Sequence, residues 1–122
     1  MARSPIWIRD RLDRAGIYLS GLCAVHCVLS ILLVAGLGLG GGFLLDPAIH
    51  RVGLLLATII AAAAIGIGVL RHRRATPLVV ATGGLCFMAT ALLVEHGVGE
   101  AVLTVIGVAL VSAGHYLNIR HV

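Results

Sequence analysis

Lysine is absent from the chain: all nine basic residues are arginine. Charge of either sign is scarce, at 11% of residues, and aromatic side chains make up only 4%. A soluble domain carries about 25% charged and 45–50% apolar residues, whereas 60% of this chain is hydrophobic. A water-soluble globule of 122 residues would need more polar surface than this sequence supplies. The shortage argues against a soluble enzyme, a nucleic-acid-binding module and a disordered tail. Three cysteines in apolar surroundings are too few for a secreted disulfide framework. The net charge of +4 does not point to nucleic acid, because the arginines stand at the ends of apolar runs, where membrane topology explains them.

What is present is long uncharged stretches. No Asp, Glu, Lys or Arg occurs from Ala15 to Leu45, Val52 to Leu70, Ala75 to Val94, or Ala101 to Ile119. About 20 apolar residues cross the hydrocarbon core as a helix. The fold class expected is all-α, a membrane four-helix bundle with short loops. Its helices fall at about 17–40, 51–70, 77–95 and 101–119, one apolar crossing each. Residues 1–15 then form a cytoplasmic N-terminal segment and 16–122 a single transmembrane domain. The first run is too long for the h-region of a removable signal peptide, so it reads as a retained helix.

Arg3, Arg9, Arg11, Arg14, Arg71, Arg73, Arg74 and Arg120 share one side of an even-span topology, and Arg51 alone stands on the other. The positive-inside rule puts both termini in the cytoplasm. Gly36/Gly40 and Gly38/Gly42 have the spacing that lets membrane helices approach closely. Packing within the chain is preferred here to a homo-oligomer seam, which the same spacing also allows.

Helix 1 carries Cys23-Ala24-Val25-His26-Cys27. Residues at i, i+3 and i+4 share a helix face, so two thiols and one imidazole point the same way within a turn. A lone cysteine there would be a small packing residue, and Cys86 is read so. The triplet reads instead as a set of ligands for soft and borderline ions: Hg(II), Cu(I), Zn(II) or Cd(II). By helix rise, Cys23 lies about 10 Å beyond Gly16 and His115 about 6 Å from Ile119. His115 is therefore expected as the fourth ligand, near the cytoplasmic side, oriented by Asn118. Asp13 caps the helix start or receives the ion. On the outer side, Asp46 and His50, Glu95 and His96 read as a capture site for a borderline cation. Glu100 reads as an acid favoured by a helix N-terminus, and His72 as a solvated residue of a basic loop.

Together these residues show a resemblance. Asp13-x-x-Gly16-x-x-x-Ser20-x-x-Cys23-x-x-His26-Cys27, the Asp46…His50 pair, Glu95-His96 and Gly114-His115-x-x-Asn118-x-Arg120 are similar to the MerC domain family of small inner-membrane proteins linked to mercury resistance. The resemblance covers nearly the whole chain. It implies heavy-metal uptake across the bacterial inner membrane, mercury(II) or a zinc-like cation as cargo, and first-helix cysteines that pass the ion on. It also implies a periplasmic metal donor and a cytoplasmic thiol acceptor as partners, besides the lipid bilayer. No permanent cofactor and no catalytic residue is expected, since the chain offers no nucleophile–base–acid set. The chain departs from the mercury-operon member in lacking a second cysteine pair. Two other readings stay open: a metal-binding sensor without transport, and a membrane redox protein in which His26/His115 and His50/His96 hold two haems.

Overall fold

The computed structural model describes residues 3–38, 42, 46–95 and 97–120. The described residues form four α-helices: α1 (Arg3–Ile31), α2 (Pro47–His72), α3 (Thr76–Ala91) and α4 (Val98–Arg120). A π-helical turn, Leu32–Gly36, continues α1. The expected all-α bundle is what the chain adopts. Among the described residues, three segments are long and apolar enough to cross a membrane: Trp7–Val34, Pro47–His72 and Val98–Arg120. At 1.5 Å per residue α3 is about 24 Å long, short of the ~30 Å hydrocarbon core.

Local sequence explains the ends. Asp46 caps α2, its Oδ1 accepting from the Ala48 amide at 2.9 Å, and Pro47 fills the first helical position, where an N–H has no intrahelical partner. At the other end Arg73 turns left-handed (φ 54°) and its amide donates to the Val69 carbonyl at 2.9 Å, closing α2. Pro77 sits in the first turn of α3 for the same reason as Pro47. Glu100 lies in the first turn of α4 and Arg120 in its last, each at the end its charge favours.

Helix 1 departs most from expectation. It begins at Arg3, well before residue 17, so the basic N-terminal stretch is helix continuous with the bundle. Its buried positions are Arg9, Asp13, Gly16, Ser20, Cys27 and Ser30, with Cys23 half-buried on the same line. Steps of four and three residues alternate along that series, which keeps it on one face. The buried positions of α1 are polar or small, with Leu19 packing partly buried beside them, while Leu22, Val25, Val28 and Leu29 are exposed.

The other helices show the inside-out pattern of a membrane bundle. Ala57, Ala61, Ala64 and Gly68 of α2 are buried, as are Ala81 and Gly84 of α3 and Gly107 and Gly114 of α4. Leu55, Ile59, Leu70, Val79 and Val102 are exposed. Helix α1 packs on α4 and α2, and α3 packs on α4 and α2. Helices α3 and α4 run antiparallel and nearly touch. A Cβ on Gly107 would lie 2.7 Å from the Gly84 carbonyl oxygen, and one on Gly114 only 2.8 Å from the Ala81 Cβ. Without a hydrophobic driving force between helices in lipid, such close backbone approach is what holds them. Arg11 over the Trp7 ring at 3.7 Å and Arg120 near the Tyr116 ring mark one end of the bundle as an aromatic–arginine belt.

This packing gives a first test. Gly107→Leu pushes α3 off α4 and should cost about 1–3 kcal/mol, the usual penalty of overpacking. Thermal unfolding in detergent measures it. Gly99→Ala, where a Cβ meets nothing within 4 Å, is the control and should leave the midpoint in place.

Candidate metal centre

Two polar layers interrupt the apolar bundle. They are separated by about 21 Å along α1, the rise from Asp13 to Cys27. Helices α1, α2 and α4 each contribute to both layers.

The first layer lies at the arginine-rich end. Asp13, His115 and Asn118 are each fully buried. His115 Nδ1–H donates to Asp13 Oδ1 at 2.7 Å, and Asn118 Nδ2 donates to Asp13 Oδ2 at 2.8 Å and to the Ala64 carbonyl at 3.1 Å. The Arg74 amide donates to His72 Nδ1 at 3.1 Å, which leaves His72 Nε2–H to donate to Asn118 Oδ1 at 2.9 Å. One carboxylate in an apolar interior thus receives two donors from α4, and Asn118 spends both its N–H groups and its carbonyl oxygen. Gly16 and Gly68 make the room: a Cβ on the first would collide with the His115 ring, and one on the second with the Asn118 amide. His115 Nε2 is buried against Gly16 and has no hydrogen-bond partner among the described residues.

The second layer lies toward the opposite end. Cys27 is buried, and its Sγ stands 3.4 Å from His50 Nε2. The His26 and His50 rings have centroids 5.3 Å apart. One donor atom from each of His26, Cys27 and His50 lies within 4.8 Å of the others. Tetrahedral zinc with Zn–S of about 2.3 Å and Zn–N of about 2.0–2.1 Å would hold S and N about 3.5 Å apart, close to the observed spacing. Behind His50, on the far edge of its ring, Glu100 Oε1 lies 3.7 Å from Nδ1, and Glu100 is only 6% exposed. Ser30 Oγ donates to the His26 carbonyl at 2.7 Å, just before the π-helical turn. Cys23 lies one turn from Cys27 and faces Gly53 of α2. A cavity of about 530 Å³ opens between α1 and α2, with Cys23, His26 and His50 in its wall and Asp46 among its lining residues.

The structure therefore joins the residues differently from the sequence expectation. Cys27, His26 and His50 come together, so half of the expected outer pair belongs with the helix-1 motif. His115 does not: it is in the Asp13 layer, far along the bundle. The reason is the early start of α1. With residues 3–16 already helical, Asp13 is the residue level with His115, and Cys27 is carried on to the start of α2. For the same reason the cluster lies away from the arginine-rich end rather than close to it. The haem pairing of His26 with His115 is likewise not formed. Asp46 caps α2 and is exposed beside the cavity, and Glu95 is exposed in the α3–α4 connection, outside the cluster. His96 lies outside the described residues. Asn118 does not orient His115 directly, since both bind Asp13. His72 is bonded rather than merely solvated, and Cys86 is exposed rather than packed. Glu100 is the site residue that sequence reasoning undervalued. Its signal was the matching position of His50 and Glu100 in the opening turns of α2 and α4.

A multi-pass helical membrane protein with thiol and imidazole donors gathered between its helices is the class that fold and site define. The chain matches the family model of the MerC mercury resistance protein over residues 13–120, and it belongs to that family. No curated protein and no solved structure matches it.

The separation of the layers is testable. His115→Asn keeps a donor for Asp13 but removes Nε2, and should leave metal affinity at the thiol cluster unchanged. Asp13→Ala strands the His115 and Asn118 donors, at about 1–3 kcal/mol for each unsatisfied group. Unfolding midpoints in detergent and metal titrations of the same samples check both statements.

Proposed function

We propose that the protein is a metal-ion transporter of the bacterial inner membrane that brings a soft or borderline cation, mercury(II) or a zinc-like ion, into the cytoplasm. The observation that carries this reading is the meeting of His26, Cys27 and His50 from two helices, away from the arginine-rich end. Ionisable and ligating groups inside a membrane bundle are costly and mark ion pathways. Membership of the mercury-resistance family supports the same cargo class.

The arginine bias puts both termini and the Asp13 layer at the cytoplasmic side, and Cys27 toward the outer side. The ion, delivered by a periplasmic donor, enters past Asp46 and sheds water as His26, Cys27 and His50 replace its hydration oxygens. Each thiol must lose its proton to bind, because thiolate is the ligand. The polar face of α1 then supplies the path inward: Cys23, Ser20, the gap at Gly16 where His115 Nε2 points, and Asp13. At the cytoplasmic end the arginines attract an anionic thiol acceptor. The ion is cargo throughout. The chain needs no resident cofactor and performs no covalent catalysis.

Cys27→Ser and His50→Ala are each expected to abolish metal-dependent accumulation in expressing cells while the protein stays in the membrane fraction. Undiminished accumulation by the Cys23→Ser/Cys27→Ser double variant would overturn the mechanism. Wild-type proteoliposomes that bind the ion but show no flux would make the protein a sensor or accessory subunit instead.

A further inference from the structure

The buried carboxylate behind His50 has a chemical use beyond holding a helix end. We propose that Glu100 is a positioning and charge-setting residue that makes the Cys27 centre select divalent over monovalent soft cations. The inference rests on the reading of His26, Cys27 and His50 as the cargo's ligands.

The geometry is a relay across one imidazole. Nε2 of His50 meets the Cys27 thiol at 3.4 Å, and Nδ1, on the other edge, faces Glu100 Oε1 at 3.7 Å. A carboxylate behind a ligating histidine fixes ring orientation and makes the ring a better donor. Glu100 is itself held by the first turn of α4, where Thr104 Oγ1 donates to the Glu100 carbonyl at 2.9 Å.

The charge count gives the selectivity. A thiolate at Cys27 and a carboxylate at Glu100 supply two negative charges, and the two imidazoles supply none when they act as ligands. A divalent ion makes the assembly neutral. A monovalent ion leaves one negative charge in a site that is largely removed from water, which is unfavourable. The count takes Cys23, one turn from Cys27 and outside the converging donor set, as a neutral thiol, while Asp46 and Arg51 at the start of α2 and Cys86 of α3 are exposed. With glutamine at position 100 the count falls by one, and a monovalent ion becomes the neutral fit.

The test compares Cd(II) and Ag(I) binding to detergent-purified protein by calorimetry, with the cadmium–thiolate ultraviolet band as a second readout. Glu100→Gln should weaken Cd(II) about 10–100-fold, the usual cost of losing a carboxylate behind a ligating histidine, while Ag(I) affinity holds or rises. Glu100→Asp, which keeps the charge, should keep the Cd(II) preference. A purely structural role predicts that both ions weaken together in the Gln variant. That outcome, or no change for either ion, overturns the proposal. Should the Gln variant fail to assemble, the Asp variant decides: a preference retained supports it, and a tenfold shift toward Ag(I) overturns it. Cys27→Ser reports the donor cluster separately. If that variant binds both ions as the wild type does, the ligand assignment itself is wrong, whatever position 100 shows.

Discussion

A single buried carboxylate sets the register of this bundle. Asp13 has no water to turn to, so it must find donors inside the protein, and α4 supplies two of them from His115 and Asn118. Leaving such a charge unpaired in an apolar interior costs several kcal/mol, far more than any one small-residue contact between helices contributes. Once Asp13 is level with His115, the antiparallel geometry leaves little choice for the rest. Cys27 rises about 21 Å further along α1, to the height at which α2 and α4 begin, and there it meets His50 and Glu100. The meeting of Cys27 with His50 depends on a polar contact that lies nowhere near it.

Much of this was legible in the sequence, and the part that was not has a common cause. The uncharged runs gave four helices, and the i, i+3, i+4 spacing of Cys23, His26 and Cys27 gave the turn of α1 that meets His50. The alignment of helices along the membrane normal was the weak link. Counting depth from Gly16 treats the helix as beginning where charge ends. Arg9 and Asp13 violate that assumption, because both are buried in the helix before the uncharged run begins. A paired charge can enter a bundle where a lone charge cannot, and no property of α1 alone reveals that its partners wait at residues 115 and 118. Shifting α1 by that amount separates His115 from the thiols and brings His50 to them.

The division of labour among helices follows. Helices α1, α2 and α4 each carry residues of both polar layers, whereas α3 brings Pro77, Ala81, Gly84 and Met88 to the interior and no charged side chain. Helix α3 fits against α4 by the nearness of backbones at Gly84 and Gly107. The chemistry is therefore in three helices, and the fourth closes the bundle around them. The half-buried imidazole of His50, touched by sulfur on one edge and facing a carboxylate on the other, is where that chemistry concentrates.

The placing of large aliphatic side chains outward and small ones inward has a consequence for assembly order. Lipid satisfies Leu55, Ile59 and Val102 as well as any protein interior would, so each hairpin can enter the bilayer before it has found its neighbours. Exclusion of water does not draw the inserted segments together. Mutual recognition must come afterwards, from hydrogen-bonding groups that hydrocarbon cannot serve. The chain thus matures in two chapters, first as independent rods in oil and then as a latched assembly, and its vulnerable interval is the one between them.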